Sequence, residues 1–95
     1  MGKEEIEKVK KKIWSFGYGC KDVTVVPSLG YDLLVTNKNT GMEYQVKVVD
    51  KNGEFDSVNN KVILALVDGD EISFQICKRG SCREESSPLK AFSHD

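Results

Sequence analysis

Tyr31-Asp-Leu-Leu-Val-Thr36, Asn37-Lys-Asn-Thr-Gly41 and Met42-Glu-Tyr-Gln-Val-Lys-Val-Val49 follow one another and decide the fold. Two apolar, β-branched runs flank a short polar segment closed by glycine, which is the pattern of a β-hairpin. In the second run Glu43, Gln45 and Lys47 recur at period two, with Tyr44, Val46 and Val48 between them. In a strand those two sets point to opposite faces. One face is therefore apolar, and the other carries an acid, an amide and an ammonium. Such groups on an inner strand are costly unless they serve each other or a ligand. Glu43 lies at the hairpin end and can be solvated there. Asp32 stands at the start of the first run.

Upstream, residues 3–16 predict a helix. Ile6, Val9, Ile13 and Phe16 form one apolar stripe. Glu4, Glu5 and Glu7 come early and Lys10, Lys11 and Lys12 late, an order that complements the helix dipole. Gly17 and Gly19 end the helix. Val23-Thr-Val-Val26 reads as a short strand, and Pro27, Ser28 and Gly30 as a turn. Downstream, Asp50-Lys-Asn-Gly53 is a turn, and residues 54–60 read as either a loop or one short helical turn. Lys61-Val-Ile-Leu-Ala-Leu-Val67 is nearly all apolar, as a central strand covered on both faces is. Asp68-Gly-Asp70 reverses it. Glu71-Ile-Ser-Phe-Gln-Ile-Cys77 alternates as an outer strand does. From Lys78 the chain is polar and holds Ser86-Ser-Pro88, so irregular structure is expected, with a tail from about residue 83. The expectation is one domain over residues 1–95, of α/β (α+β) class. Its N-terminal helix packs on a mixed five-stranded sheet.

The composition fits that picture and narrows the function. The 95 residues are 39% hydrophobic and 31% charged, with a formal net charge of -1, which excludes a disordered chain and a strongly basic nucleic-acid binder. No apolar run is long enough to span a bilayer. The charged start, Met-Gly-Lys-Glu-Glu, predicts no secretory signal. Three cysteines, an odd count, argue against a disulfide scaffold and fit a reducing, cytoplasmic setting. With His94 beside the chain end, Ser-His-Asp and Cys-His chemistry is disfavoured.

The chemistry that suits the hairpin is metal-assisted phosphodiester cleavage. Carboxylate and carbonyl oxygens hold Mg²⁺, and the metal polarises a phosphate and activates water. A neighbouring lysine stabilises developing negative charge. In that scheme Asp32 is a direct ligand and the Gln45 side-chain oxygen a weaker one. The Val46 backbone carbonyl adds a third oxygen, and Lys47 is the catalytic ammonium.

These residues carry a family resemblance. Gly17-Tyr18, Val25-Val-Pro-Ser-Leu-Gly-Tyr-Asp-Leu-Leu-Val35 and Glu43-Tyr-Gln-Val-Lys47 together resemble the core of the PD-(D/E)xK nuclease superfamily. The likeness is to its Mrr-like and small homing-endonuclease-like branches, with Gln-x-Lys in place of Glu-x-Lys. It covers about residues 3–49. It implies a restriction-endonuclease-like core that cuts DNA with Mg²⁺ or Mn²⁺ and works as a homodimer or tetramer. Asp32, Gln45 and Lys47 take the catalytic roles. The family often adds a glutamate from the first helix, for which Glu5 is best placed and Glu7 next. The segment between Asp50 and Lys61 is short for the helix that usually follows the lysine strand. That shortness, and Gln in place of Glu, keep a second reading open: a catalytically inactive module on the same fold that binds nucleic acid or protein.

Other constellations are weaker. Cys20, Cys77, Cys82 and His94 have zinc-ligand chemistry at irregular spacing, and Cys77 with Cys82 is equally compatible with a hairpin disulfide or with unbonded thiols. Lys10, Lys11 and Lys12 on the helix, and Lys78, Arg79 and Arg83 after the last strand, read first as solvated charge and second as candidate phosphate contacts. Trp14 beside the apolar stripe predicts a core or dimer contact.

Overall fold

The computed structural model describes residues 2–26, 28, 30–53, 62–78 and 80–92. Helix α1 (Lys3–Ser15) leads into strands β1 (Gly19–Asp22), β2 (Leu33–Thr36), β3 (Glu43–Asp50), β4 (Val62–Asp68), β5 (Glu71–Lys78) and β6 (Ser81–Glu85), and the short helix α2 (Pro88–Ala91) follows. The strands form one sheet in chain order. All neighbours are antiparallel except β3 and β4, which are parallel. The α+β class, the N-terminal helix on the sheet and the mixed pairing are as expected. Among the described residues the sheet has six strands rather than five.

Helix α1 buries Ile6, Val9 and Ile13 against Leu33, Val35, Val46, Val48, Ala65 and Phe74. Burying three such side chains is worth about 1.5–3 kcal/mol each. Phe16, the fourth residue of the expected stripe, falls past the helix end and is exposed. On the opposite face Val49, Leu64 and Leu66 form a second, smaller buried cluster. β4 is buried from Ile63 to Val67, as its continuous apolar run requires.

The first strand lies earlier than expected. Residues 23–26 make a turn, and the strand is Gly19–Asp22. Valine's β-preference is overridden by Asp22, whose Oδ1 accepts both the Thr24 backbone N–H (2.9 Å) and the Thr24 hydroxyl (2.6 Å). An aspartate that captures donors two residues on turns the chain locally. Gly17, at φ 88, lets the chain leave α1 and enter β1 within a few residues. The region read as a loop or helical turn, residues 54–60, lies outside the described residues.

The polar tail is ordered, against expectation. β6 pairs with β5, and α2 starts at Ser87, whose hydroxyl accepts the Leu89 N–H (3.2 Å) with Pro88 in the first turn. Behind α2, Phe92 is fully buried and packs against Tyr18, Tyr44 and Phe74 at ring centroid distances of 5.8, 5.5 and 5.2 Å. Its carbonyl accepts the buried Asn37 side-chain amide at 2.9 Å. No helix among the described residues is long and apolar enough to cross a membrane.

Phe92→Ala is therefore expected to cost about 3–5 kcal/mol, read from urea or guanidinium unfolding. Leu89→Ala, at an exposed position of the same helix, should stay within about 0.5 kcal/mol. Equal losses at the two positions would refute the assignment of Phe92 to the core.

Candidate functional site

The β2–β3 ladder ends at Asp32, and the way it ends builds the site. Leu33 pairs with Val46 in register. One residue earlier, the Asp32 N–H donates to the Val46 carbonyl at 2.9 Å. Its carboxylate then accepts the Val48 N–H through Oδ2 at 2.8 Å, where a ladder would supply a backbone carbonyl. On its other side the Asp32 carbonyl accepts the Val23 N–H at 2.9 Å. Asp32 thus grips Val46 and Val48, and Lys47 is the residue between them.

That grip places Asp32 and Lys47 in the wall of one cleft of about 230 Å³, with Thr24, Gly30 and Tyr31. A second cleft, of about 640 Å³, adjoins it and shares Asp32 and Thr24. Lys3 and Ile6 from the start of α1 complete that cleft, with Asp22 and Val25. Lys47 is exposed, so the burial cost expected for an inner-strand lysine does not arise; β3 is open to solvent beside Asp32. Among the described residues the Lys47 ammonium and the Gln45 amide have no side-chain hydrogen bond or ion pair. Gln45 is half-buried and lies on the same sheet face, paired with Leu34 and Val62, but it does not line the Asp32–Lys47 cleft.

Glu5 is not brought to Asp32. Its carboxylate folds back over Gly2, where Oε2 would lie 2.8 Å from a Cβ at that position. The N-cap Gly2 offers no side-chain cap, so a negative charge is favoured there by the helix dipole. Glu7 points elsewhere too, 3.9 Å from Lys10. The contribution of α1 to the Asp32 region is Lys3 and Ile6. The two residues that sequence reasoning passed over are Asp22 and Thr24. Hydrogen bonds from the Thr24 hydroxyl and N–H hold the Asp22 carboxyl below its usual range. The Asp-x-Thr spacing was the available signal.

The basic residues divide. Lys10 stacks over Trp14 at 4.7 Å, and Lys12 donates to the Ile72 carbonyl at 2.9 Å. Both are committed to the fold, whereas Lys11 is exposed. Trp14 is about half exposed and so is no core residue. The Lys78 side chain and Arg79 lie outside the described residues. Arg83 sits 3.8 Å from Glu85.

The zinc reading fails. Cys77 and Cys82 are joined in a disulfide, and Cys20 lies on β1, four strands from β5. His94 lies outside the described residues. Among the described residues no group of three or more His, Cys, Asp or Glu is arranged to hold a metal ion. Of the three oxygens expected to hold a hard cation, the Asp32 carboxylate alone lines this cleft; Gln45 lies outside its lining and the Val46 carbonyl already accepts the Asp32 N–H. One carboxylate would fit Mg²⁺ held chiefly by substrate phosphate and water, which is a common mode for this ion. It does not fit a site closed by protein alone.

Comparison of the chain with protein-family models, with curated proteins and with solved structures finds no match in any of the three.

Two outcomes follow from the geometry. Asp32→Ala leaves the Val48 N–H without its acceptor and should cost about 1–3 kcal/mol. Asp32→Asn keeps a carbonyl oxygen there and should cost less than about 1 kcal/mol. Equal losses in urea unfolding would show that the Oδ2 bond is not what Asp32 supplies. Separately, burial pushes the Cys20 thiol up to about 12, with Lys10 partly offsetting and Asp22 and Glu7 adding to the rise. The thiolate is the nucleophile, so native Cys20 should react with a thiol reagent at pH 8 at least about a hundredfold more slowly than in the denatured chain. An unfolded cysteine loses its proton near 8.5, so above that value the unfolded state binds fewer protons than the native one. The stability Cys20 contributes is complete below that pH and declines as pH rises toward 12.

Proposed function

We propose that the chain is a metal-dependent nuclease that cleaves phosphodiester bonds in DNA, in the manner of the PD-(D/E)xK superfamily it resembles. The observation that carries the reading is the cleft shared by Asp32 and Lys47. A carboxylate and an ammonium, neither with an ion-pair partner among the described residues, border one opening, at the start of the strand and in the hairpin where the resemblance puts them.

Asp32 commits Oδ2 to Val48. A carboxylate offers about four lone-pair sites, so further acceptor capacity remains for Mg²⁺ or Mn²⁺; Gln45 would have to swing toward the cleft to add its oxygen, and the Val46 carbonyl already accepts from Asp32. What such an ion supplies is Lewis-acid polarisation of the scissile phosphate and activation of water. Lys47 is exposed and unpaired among the described residues, so it can meet an incoming phosphate and stabilise the charge that develops on it. Lys3 on the neighbouring cleft and exposed Lys21, on the same sheet face as Lys47, are placed to hold flanking phosphates. Lys11 is a further candidate for backbone contact. Cutting both strands calls for two such sites, hence a homodimer or tetramer. A cytoplasmic setting goes with a DNA substrate, and there the Cys77–Cys82 pair would face thiol reductants.

One observation favours a second reading. Among the described residues Asp32 is the single carboxylate lining the cleft with Lys47, with Gln45 where the family usually has an acid and Glu5 turned away. A non-catalytic module that binds nucleic acid or protein beside the same cleft needs no more than Lys21 and Lys47, with Lys3 at the neighbouring cleft.

Supercoiled plasmid with Mg²⁺ or Mn²⁺ separates the two. Wild type should nick it, EDTA should stop the reaction, and Lys47→Ala should slow it at least about a hundredfold. Asp32→Asn, which keeps the fold, should do the same. Nicking by Lys47→Ala at the wild-type rate would sink the proposed site. A folded wild type that retards DNA yet cuts no substrate form would establish the binding module instead.

A further inference from the structure

The Cys77–Cys82 disulfide joins residues directly opposite each other across β5 and β6. Cys77 is buried and Cys82 exposed. The strand it fastens adds little apolar packing to the sheet edge. In β6, Ser81, Cys82, Arg83 and Glu84 are exposed and Glu85 is half-buried, so the strand contributes no apolar side chain to either core cluster. Beyond the ladder, α2 lies against the strand, Ser73 Oγ donates to Glu84 at 2.9 Å, and Lys51 Nζ lies 3.4 Å from the same carboxylate. Exposed pairs of that kind contribute little.

The chain on either side is anchored firmly. β5 buries Ile72, Phe74 and Ile76, and the segment after β6 buries Pro88, Ala91 and Phe92. A weakly held edge strand therefore lies between two fixed points, with one covalent bond across it.

We propose that the Cys77–Cys82 disulfide is a thiol-operated latch that holds β6 on the sheet edge. The reductant is a small thiol or a dithiol protein. Its thiolate attacks exposed Cys82 Sγ, the protein S–S bond breaks, and Cys77 leaves as a thiolate that takes up a proton. A second thiol then attacks the mixed disulfide at the reductant's sulfur, giving the reductant's disulfide and the free Cys82 thiol. Two thiols are oxidised and one protein disulfide is reduced. With the bond gone, β6 opens locally while its anchors stay in place, and β5 becomes the edge. Its outward N–H and C=O groups are then exposed for pairing with an extended strand. The hairpin keeps the two sulfurs near each other, so oxidation restores the closed form. None of this depends on the nuclease reading.

Hydrogen exchange by mass spectrometry on the whole chain tests it, with and without a phosphine reductant. Thiol counting should find one free cysteine in the oxidised protein and three after reduction, as one pair and free Cys20 require. Amides of residues 81–85 should exchange at least about tenfold faster after reduction, while α1 and β2 to β4 change less than about twofold. Cys82→Ser, at an exposed position that leaves no cavity, should reproduce the reduced pattern without reductant. Unchanged exchange at 81–85 would overturn the latch. So would acceleration across the whole chain, which would make the bond a global staple, or three free thiols in the protein kept under oxidising conditions.

Discussion

The backbone N–H of Val48 is satisfied by a side chain, the Asp32 carboxylate, and much of the molecule is arranged around that substitution. A sheet interior tolerates few unpaired backbone groups. Where β2 stops pairing, something else must accept from β3, and a short acidic side chain can do so without another residue of strand. The same residue donates its own N–H to Val46 and accepts from Val23 through its carbonyl. Asp32 is thereby fastened to β3 on one side and to the end of β1 on the other. The β1–β2 connection is held at that point, and the two clefts open on either side of it.

The sheet that carries this junction is filled unequally on its two faces. Parallel pairing of β3 and β4 sets β4 in the interior, and its uninterrupted apolar run meets that demand. On the α1 face the helix stripe covers β2 to β4, and Phe92 closes the end of the layer against Tyr18, Tyr44 and Phe74. The core thus draws on both ends of the chain. Small domains bury a modest fraction of their surface, so a single aromatic from a polar tail carries weight that its surroundings in sequence do not suggest. The other face has a narrow apolar strip of Val49, Leu64 and Leu66, and Lys47 and Gln45 belong to that face.

How legible each part was follows from how local its signal is. α1, β2, β3, β4 and β5 each carry their own periodicity, and their positions were readable to within a residue or two. The hairpin also revealed which side chains share a face, because alternation is a property of the strand itself. β1 was misplaced because Val23, Val25 and Val26 advertise a strand more loudly than Gly19-Cys20-Lys21-Asp22. What decides the matter is a side chain, Asp22, hydrogen bonding to Thr24, together with register against Leu33–Thr36. β6 and α2 were missed for a related reason. The composition there is polar, and order comes from pairing with β5, from the Cys77–Cys82 bond, from the Ser87 cap with Pro88, and from Phe92. Glu5 shows the limit of placing a helix side chain from sequence: best placed by its position, its carboxylate turned instead to its own N-terminus.

Asp32 and Lys47 carry different evidential weight, although they border the same cleft. Asp32 has structural employment, since removing its carboxylate strands a backbone donor. A chain that had lost every catalytic function would still be under pressure to keep an acceptor at that position. The presence of an aspartate at the head of β2 is thus explained by folding alone. Lys47 has no such explanation. It is exposed, none of the described residues pairs with its ammonium, and β3 would be equally well served there by any residue of good strand propensity. Its alternation partner Gln45 is half-buried and similarly uncommitted. A side chain that the fold does not need, standing beside one that the fold fixes in place, is the arrangement in which function can be separated from stability. Lys47, rather than Asp32, is where the identity of the residue speaks to what the surface does.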